Sequence, residues 1–273
     1  MILVTGATGN VGRHVVAQLV EAGEKVRAIA RNPGRAAFPD GVDVVRADLS
    51  DPSTLSDALA GVRRAFLFPV SGATEGFLAR ADDLERLVLL SSAAVTYDEP
   101  NEIALRHLEP ERALAASGLQ WTFVRPGAFM TNDLQWAPGG KAGVVRAPYG
   151  GAAVAAIDER DIAAVAVRAL LDDTHVGKAY ELSGPESLTV ADRVRIIGEV
   201  LGREVRFDEQ DPAEARAQMS RYVPERVVDG LLTMFASLVG TTAPVLPGVR
   251  DVTGRDPHTY AEWVALRRAD FIA

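Results

Sequence analysis

Gly6-Ala7-Thr8-Gly9-Asn10-Val11-Gly12 lies between the apolar run Ile2-Leu3-Val4-Thr5 and a stretch in which Val11, Val15, Val16, Leu19 and Val20 recur at helical spacing before Gly23. Strand, tight glycine turn and amphipathic helix, in that order, open a βαβ unit. The spacing G-x-x-G-x-x-G has a physical purpose in that setting. One glycine makes the sharp turn, another lets a pyrophosphate reach main-chain N–H groups, and the third lets helix and strand approach closely. The free N–H groups and the positive end of the helix then favour an anion. The other reading is a tight structural turn in an α/β protein that binds something else or nothing.

Outward from the turn the pattern repeats. Residues 25–31, 42–46, 65–69, 86–91 and 121–125 read as further strands, each a nearly continuous apolar run. Ser50-Asp51-Pro52 starts a helix that Gly61 closes. Residues 101–117 form a helix ending at Gly118, and only a short crossover helix fits between Thr74 and Asp83. Apolar strands alternating with helices predict an α/β fold, a Rossmann-type doubly wound parallel sheet with both faces covered, over residues 1–126. After Pro126 the texture changes. Residues 127–151 are rich in Gly and Pro and read as loop with one short strand. Helices follow at 160–171, at 189–201 with Thr189 as cap, and at 258–269; a strand is read at 179–183; residues 204–250 hold a short strand and two helical stretches. Residues 127–273 are read as a smaller, interleaved substrate-binding region, with 152–183 packing back onto the core.

Composition narrows the function classes. The 273 residues are 48% hydrophobic and 24% charged, as in a globular protein. Net charge is 29 − 37 = −8, which makes nucleic acid a poor partner. With no cysteine, disulfides, thiolate nucleophiles and Cys-ligated metals are excluded. The first residues show no signal peptide, and no apolar run approaches the roughly 18–20 residues of a membrane helix, so a cytoplasmic chain is expected. His14, His107, His175 and His258 lack metal-ligand spacing, and no metal is expected.

The residues after the second strand bear on which dinucleotide is held. An NAD site offers Asp or Glu about 20 residues beyond the glycines, to bond the ribose 2′-OH. Here the strand ends Ala28-Ile29-Ala30-Arg31-Asn32, with Arg31 where the acid would stand and Arg35 in the same loop. A guanidinium pairs bidentately with a 2′-phosphate. NADP(H) is therefore expected over NAD(H), the other reading of Arg31 being a solvated surface residue. Asp48 and Leu49, ending the third strand, read either as an edge contact for the adenine or as part of a cap network with Ser50 and Asp51.

With these residues in hand, the chain resembles the NmrA-like, atypical short-chain dehydrogenase/reductase family. The resemblance runs through Val4-Thr5-Gly6-Ala7-Thr8-Gly9-Asn10-Val11-Gly12, Val26-Arg27-Ala28-Ile29-Ala30-Arg31-Asn32-Pro33, Leu89-Leu90-Ser91-Ser92, Ser117-Gly118-Leu119-Gln120-Trp121-Thr122-Phe123-Val124-Arg125-Pro126-Gly127, Ile157-Asp158-Glu159-Arg160-Asp161-Ile162-Ala163 and Tyr180-Glu181-Leu182-Ser183-Gly184-Pro185. Members bind NADP(H) or NAD(P); some reduce quinones, other carbonyls, imines or double bonds, and others act as redox-sensing regulators. The resemblance implies that Gly6, Thr8, Gly9, Asn10 and Val11 line the pyrophosphate, with Gly12 closing the turn, and that Arg31 meets the 2′-phosphate. It also implies Phe68 and Pro69 near the ribose, and Ser91, Pro126, Gly127 and Phe129 near the nicotinamide.

The family's usual Tyr-x-x-x-Lys is missing: none of Tyr97, Tyr149, Tyr180, Tyr222 and Tyr260 has Lys four residues on. Where the pair would fall, the chain reads His107-Leu108-Glu109-Pro110-Glu111. His107 is one candidate proton donor, with Glu111 one turn away to raise its pKa and orient it. Tyr97 is a second. The other reading of His107 is a helix-surface residue beside Glu109 and Glu111, and Pro110 is expected to bend that helix or mark its start. Phe129 and Trp136 read either as lining an apolar acceptor pocket or as core. The expected function is NADPH-dependent hydride transfer to a small apolar acceptor such as a quinone or conjugated carbonyl, by a monomer or homodimer. The alternatives are a non-catalytic NADP(H)-sensing regulator and an epimerase-like enzyme that retains its cofactor.

Overall fold

A computed structural model describes residues 1–97 and 102–272, apart from the side chain of Arg35. Asn101, expected to head a helix, lies outside the described residues. The chain divides into two compact units: Met1–Pro126, Glu159–Leu182 and Gly248–Arg255 in the first, and Gly127–Asp158, Ser183–Pro247 and Asp256–Ala273 in the second.

The first unit takes strands β1 (Ile2–Val4), β2 (Val26–Ala30), β3 (Asp43–Arg46), β4 (Arg64–Leu67), β5 (Arg86–Leu90) and β6 (Gln120–Pro126), interleaved with helices α1 (Gly12–Glu21), α2 (Ser56–Leu59), α3 (Thr74–Leu78) and α4 (Glu102–Ala116). In the second unit, α5 (Ala137–Ala142), β7 (Val144–Ala147) and β8 (Ala153–Val154) follow; α6 (Glu159–Leu171) and β9 (Lys178–Leu182) then belong to the first. Next come β10 (Leu188–Thr189), α7 (Val190–Leu201), β11 (Arg206–Glu209), α8 (Pro212–Met219) and α9 (Glu225–Ser237) in the second, α10 (Gly248–Thr253) in the first, and α11 (Tyr260–Leu266) and α12 (Arg268–Ile272) in the second.

The first unit holds a seven-stranded sheet in the order β3-β2-β1-β4-β5-β6-β9, and every pairing in it is parallel. The inner strands β1, β2, β4 and β5 are buried along nearly their whole length, which is why they read as unbroken apolar runs, while β3 and β9 at the sheet's two edges are largely exposed or half-buried. On one face Leu3, Ala65, Leu67, Leu87, Leu89 and Phe123 pack with Leu59, Phe77 and Leu114 from α2, α3 and α4. The alternate residues Ile2, Val4, Ala28, Phe66, Val88 and Val124 are as fully buried; α1 and α6, in contact with each other, cover that face. Each large side chain so buried contributes about 1.5–3 kcal/mol. The order of strands reverses between β1 and β4, and ligands in open α/β sheets bind at the strands' carboxyl ends at such a reversal.

The second unit is built around two short strand pairs, β7 with β11 (parallel) and β8 with β10 (antiparallel). Its core includes Met130, Val194, Ile197, Trp263 and Phe271. Thr189 caps α7 through a capping box, its hydroxyl accepting from Asp192 N while the Asp192 side chain accepts from Thr189 N.

Three expectations need correction. Residues 127–151 hold more than a loop and a strand: a 3-10 segment, Met130–Trp136, leads into α5 and β7. Gly139 and Gly140 lie inside α5, where a Cβ would stand 2.6 Å from Val144 O and 2.9 Å from the Phe271 ring respectively. These glycines allow close packing rather than looping. The terminal helix is two, α11 and α12, parted at Arg267. Pro110 does not start its helix, for α4 begins at Glu102. The ring is buried, and the neighbouring Glu111 is anchored by Ser91 and Arg125; such tertiary bonds offset the hydrogen bond that a proline costs a helix.

Candidate functional site

The six strands from β1 to β6 end at one edge of a single parallel sheet, so the residue that closes each is delivered there in turn. After β1 comes the glycine turn. Gly6 has φ +57°, a left-handed conformation that favours glycine. Its carbonyl oxygen is the pivot: Gly9 N donates to it at 2.9 Å. A Cβ on Gly9 would stand 3.1 Å from that oxygen and one on Gly12 only 2.2 Å. A Cβ on Gly6 itself would meet Phe68 Cβ at 2.7 Å. Thr8, Gly9 and Asn10 are exposed, while Val11 and Gly12 are buried where α1 begins. Among the described residues, the N–H groups of Thr8, Asn10, Val11 and Gly12 find no backbone acceptor. Such amides at a helix N-terminus suit an anion. The turn thus matches a dinucleotide pyrophosphate in the position of its amides and in the space its missing side chains leave.

After β2, Arg31 is exposed; the side chain of Arg35 lies outside the described residues. After β3, the Asp48 carboxylate accepts from Ser50 N at 2.9 Å and Ser50 Oγ at 2.7 Å. These bonds, helped by the nearby Arg31 charge, hold its carboxyl below the usual range. The cap network is therefore present, and Leu49 beside it is buried. After β4, Phe68 N donates to the buried Thr5 Oγ1 at 2.7 Å, which locks this strand end against the glycine turn while leaving the Phe68 side of the residue 44% exposed. Pro69 is half-buried. Ser91 follows β5 by one residue and Pro126 ends β6; both are buried.

Gly127 and Phe129 belong to the second unit and are half-buried. Trp136, 8% exposed, packs in the second unit's core under the Arg193 guanidinium, 4.9 Å from its ring centre. That burial matches the core reading of Trp136.

Of the two donor candidates, Tyr97 is exposed and His107 half-buried on α4. His107 Nδ1 lies 2.8 Å from Ile103 O. A carbonyl can only accept, so Nδ1 carries the proton and Nε2 donates only when the ring is doubly protonated. Glu111 is not its partner. Glu111 accepts from Ser91 Oγ at 2.5 Å and from Arg125 Nε and Nη2 at 2.9 and 2.7 Å. This Ser91–Glu111–Arg125 cluster escaped the reading of the chain. Its one linear signal was an acid in the lysine's place. A second omission is Arg13, one residue past the glycines, whose Nη2 donates to Asn10 Oδ1 at 3.0 Å and adds positive charge beside the turn.

No helix among the described residues is long and apolar enough to cross a membrane. A family model described as NAD(P)H-binding matches residues 6–173. The chain is 43% identical to the (4-alkanoyl-5-oxo-2,5-dihydrofuran-3-yl)methyl phosphate reductase of Streptomyces griseus, over 97% of each chain. It is 34% identical to the NAD(P)H azoreductase of Xenophilus azovorans, over 99% of each. The crystal structure of an NADPH-dependent quinone oxidoreductase from Escherichia coli, complexed with NADPH, superposes with TM-score 0.82 at 28% identity, covering 98% of this chain and 100% of that one. A glycine turn of this build at a Rossmann sheet's reversal, and similarity running the length of the chain, place this protein in the NAD(P)H-binding family of NmrA-like, atypical short-chain dehydrogenases/reductases.

Proposed function

We propose that this protein is an NADPH-dependent reductase that transfers hydride to a small conjugated acceptor, a quinone or other conjugated carbonyl. The observation that carries the reading is the turn around the Gly6 carbonyl, with unpartnered amides beside the exposed residues Thr8, Gly9 and Asn10 and with Arg31 on the neighbouring strand end. The substrates in the names of these relatives share a chemistry that supports the acceptor class. A 5-oxo-2,5-dihydrofuran, an azo compound and a quinone are all electron-poor conjugated systems. Assaying NADPH oxidation against quinones, azo compounds and unsaturated lactones tests the proposal. Tight NADPH binding with no turnover across that panel would overturn it.

In this reading Gly6, Thr8, Gly9, Asn10, Val11 and Gly12 hold the pyrophosphate, and Arg31, with Arg35, the 2′-phosphate. Asp48 and Leu49 border the adenine; Phe68 and Pro69 border the ribose; Ser91, Pro126 and Gly127 serve the nicotinamide, and Phe129 the acceptor. When bound, the reduced nicotinamide supplies the hydride. The chain's own task is alignment and exclusion of water.

Arg31→Asp is expected to weaken NADPH binding by roughly tenfold to a hundredfold, the value of a charge-assisted pair, and NADH binding much less. Titration with both nucleotides checks this, and equal losses would remove Arg31 from 2′-phosphate recognition. His107→Ala is expected to lower turnover roughly a hundredfold, at the lower end for a general acid, with NADPH affinity unchanged. Steady-state kinetics beside Tyr97→Phe identifies the donor: a loss in Tyr97→Phe alone would transfer the role to Tyr97, and a loss in neither would leave it to water.

A further inference from the structure

Ser91 sits one residue beyond β5, and its Oγ donates to Glu111 Oε1 across to α4 at 2.5 Å. Glu111 is only 5% exposed, and Arg125 on β6 grips it with two bonds, Nε to Oε1 and Nη2 to Oε2. Fork-to-fork pairing of this kind sets both carboxylate oxygens of Glu111 as acceptors from the guanidinium. The bond to Glu111 in turn raises the guanidinium's hold on its own proton above the usual value. Arg125 also lies 5.9 Å from the Phe123 ring centre, which further restricts it.

An ionised carboxylate only accepts hydrogen bonds. Ser91 owns one hydroxyl proton, and Glu111 takes it. The oxygen is left with lone pairs, so it can accept from a ligand but cannot give it a proton. A quinone or conjugated carbonyl offers only lone pairs itself, and two acceptors facing each other repel. The ligand group that Ser91 can serve must carry N–H or O–H, and a primary carboxamide carries two N–H donors.

We infer that Glu111 and Arg125 are positioning residues that fix Ser91 as a hydrogen-bond acceptor, and that the group it reads is the carboxamide of the nicotinamide ring. The inference rests on the proposed cofactor site and deepens it: an acid at position 111 inverts the polarity of the Ser91 hydroxyl.

The test is a binding measurement that needs no turnover. Isothermal titration compares NADP⁺ with its 3-acetylpyridine analogue, in which a methyl ketone replaces the carboxamide and no N–H remains. The unaltered protein is expected to bind NADP⁺ about tenfold more tightly, the cost of leaving a buried acceptor without its donor. Ser91→Ala, which removes a single oxygen, is expected to bind the two within about twofold of each other. Glu111→Gln is expected to reduce the preference as well, because a glutamine amide can donate to Ser91 and release its proton. Should Glu111→Gln fail to fold with Arg125 unpaired, Ser91→Ala decides alone. Equal affinities in the unaltered protein, or a preference undiminished in Ser91→Ala, would overturn the inference and leave the cofactor site standing. Absence of NADP⁺ binding in the unaltered protein would overturn both.

Discussion

Gly12→Val is expected to abolish useful dinucleotide binding, with a loss in NADPH affinity on the order of a hundredfold or more. A Cβ at this position would stand 2.2 Å from Gly6 O, 2.7 Å from Gly6 C and 2.9 Å from Ala7 Cα. All three are backbone atoms, so no rotamer change relieves the clash. Either the turn opens or α1 moves away from β1, and both disperse the amides of Thr8, Asn10 and Val11 that the anion needs. The change also disturbs packing around the fully buried Val15 and Val16 on α1. A fall in stability of about 1–3 kcal/mol, typical of overpacking, is expected with it. Gly230→Ala is the control: in the middle of α9 a Cβ meets nothing within 4 Å and the backbone is helical. That substitution is expected to add up to about 1 kcal/mol of stability through helix propensity and to leave NADPH affinity unchanged. Titration with NADPH and thermal unfolding of both variants check the contrast. NADPH affinity preserved in Gly12→Val would remove the turn from anion binding.

The first unit was legible because its signals are local. Runs such as Ile2-Leu3-Val4 and Leu87-Val88-Leu89-Leu90 are buried on both faces and announce themselves without reference to anything else. The glycine spacing, Gly23 and Gly61 after their helices, and Thr189 before its own carry the same kind of short-range information. What the chain did not disclose depends on distance. Ser91 and Arg125 lie 20 and 14 residues from Glu111, and only the pairing of β5 with β6 brings them to it. Read alone, Glu111 had one evident neighbour, His107, one turn back. Gly139 and Gly140 were read as loop residues because their true reason, contact with Val144 and Phe271, is tertiary. Of the two readings of Pro110, that it marks the helix start fails, because α4 runs through it from Glu102. Arg31 stands apart: its place after β2 follows from the sequence, but its exposure leaves the partner to the ligand.

Asp133→Leu is expected to destabilise the second unit by about 3–5 kcal/mol, and Arg193→Leu by less at neutral pH and least in acid. Asp133 and Arg193 are 2% and 4% exposed. Arg193 Nη1 donates to both carboxylate oxygens, at 2.8 and 2.6 Å, and Tyr260 OH donates to Oδ2 at 2.8 Å. Burial pushes the Asp133 carboxyl up, against the pull of Arg193 and Tyr260. The two halves of this pair fail differently. A guanidinium cannot shed its charge, so Asp133→Leu leaves a buried cation beside Trp136 with no counter-charge. A carboxyl can neutralise itself by taking a proton, and in Arg193→Leu its folded pKa rises further because the opposing cation is gone. The unfolded chain holds no such proton above the usual carboxylate range. The folded variant therefore binds more protons than the unfolded one, and stability falls as pH rises, by up to about 1.4 kcal/mol per unit, until the raised pKa is passed. The double variant, with two leucines in place of two charges, is expected to regain most of what either single change loses. Urea unfolding followed by tryptophan fluorescence across a pH series measures all three. A flat pH response in Arg193→Leu, or a double variant as unstable as the sum of the singles, would show that this pair is not a desolvated charge couple.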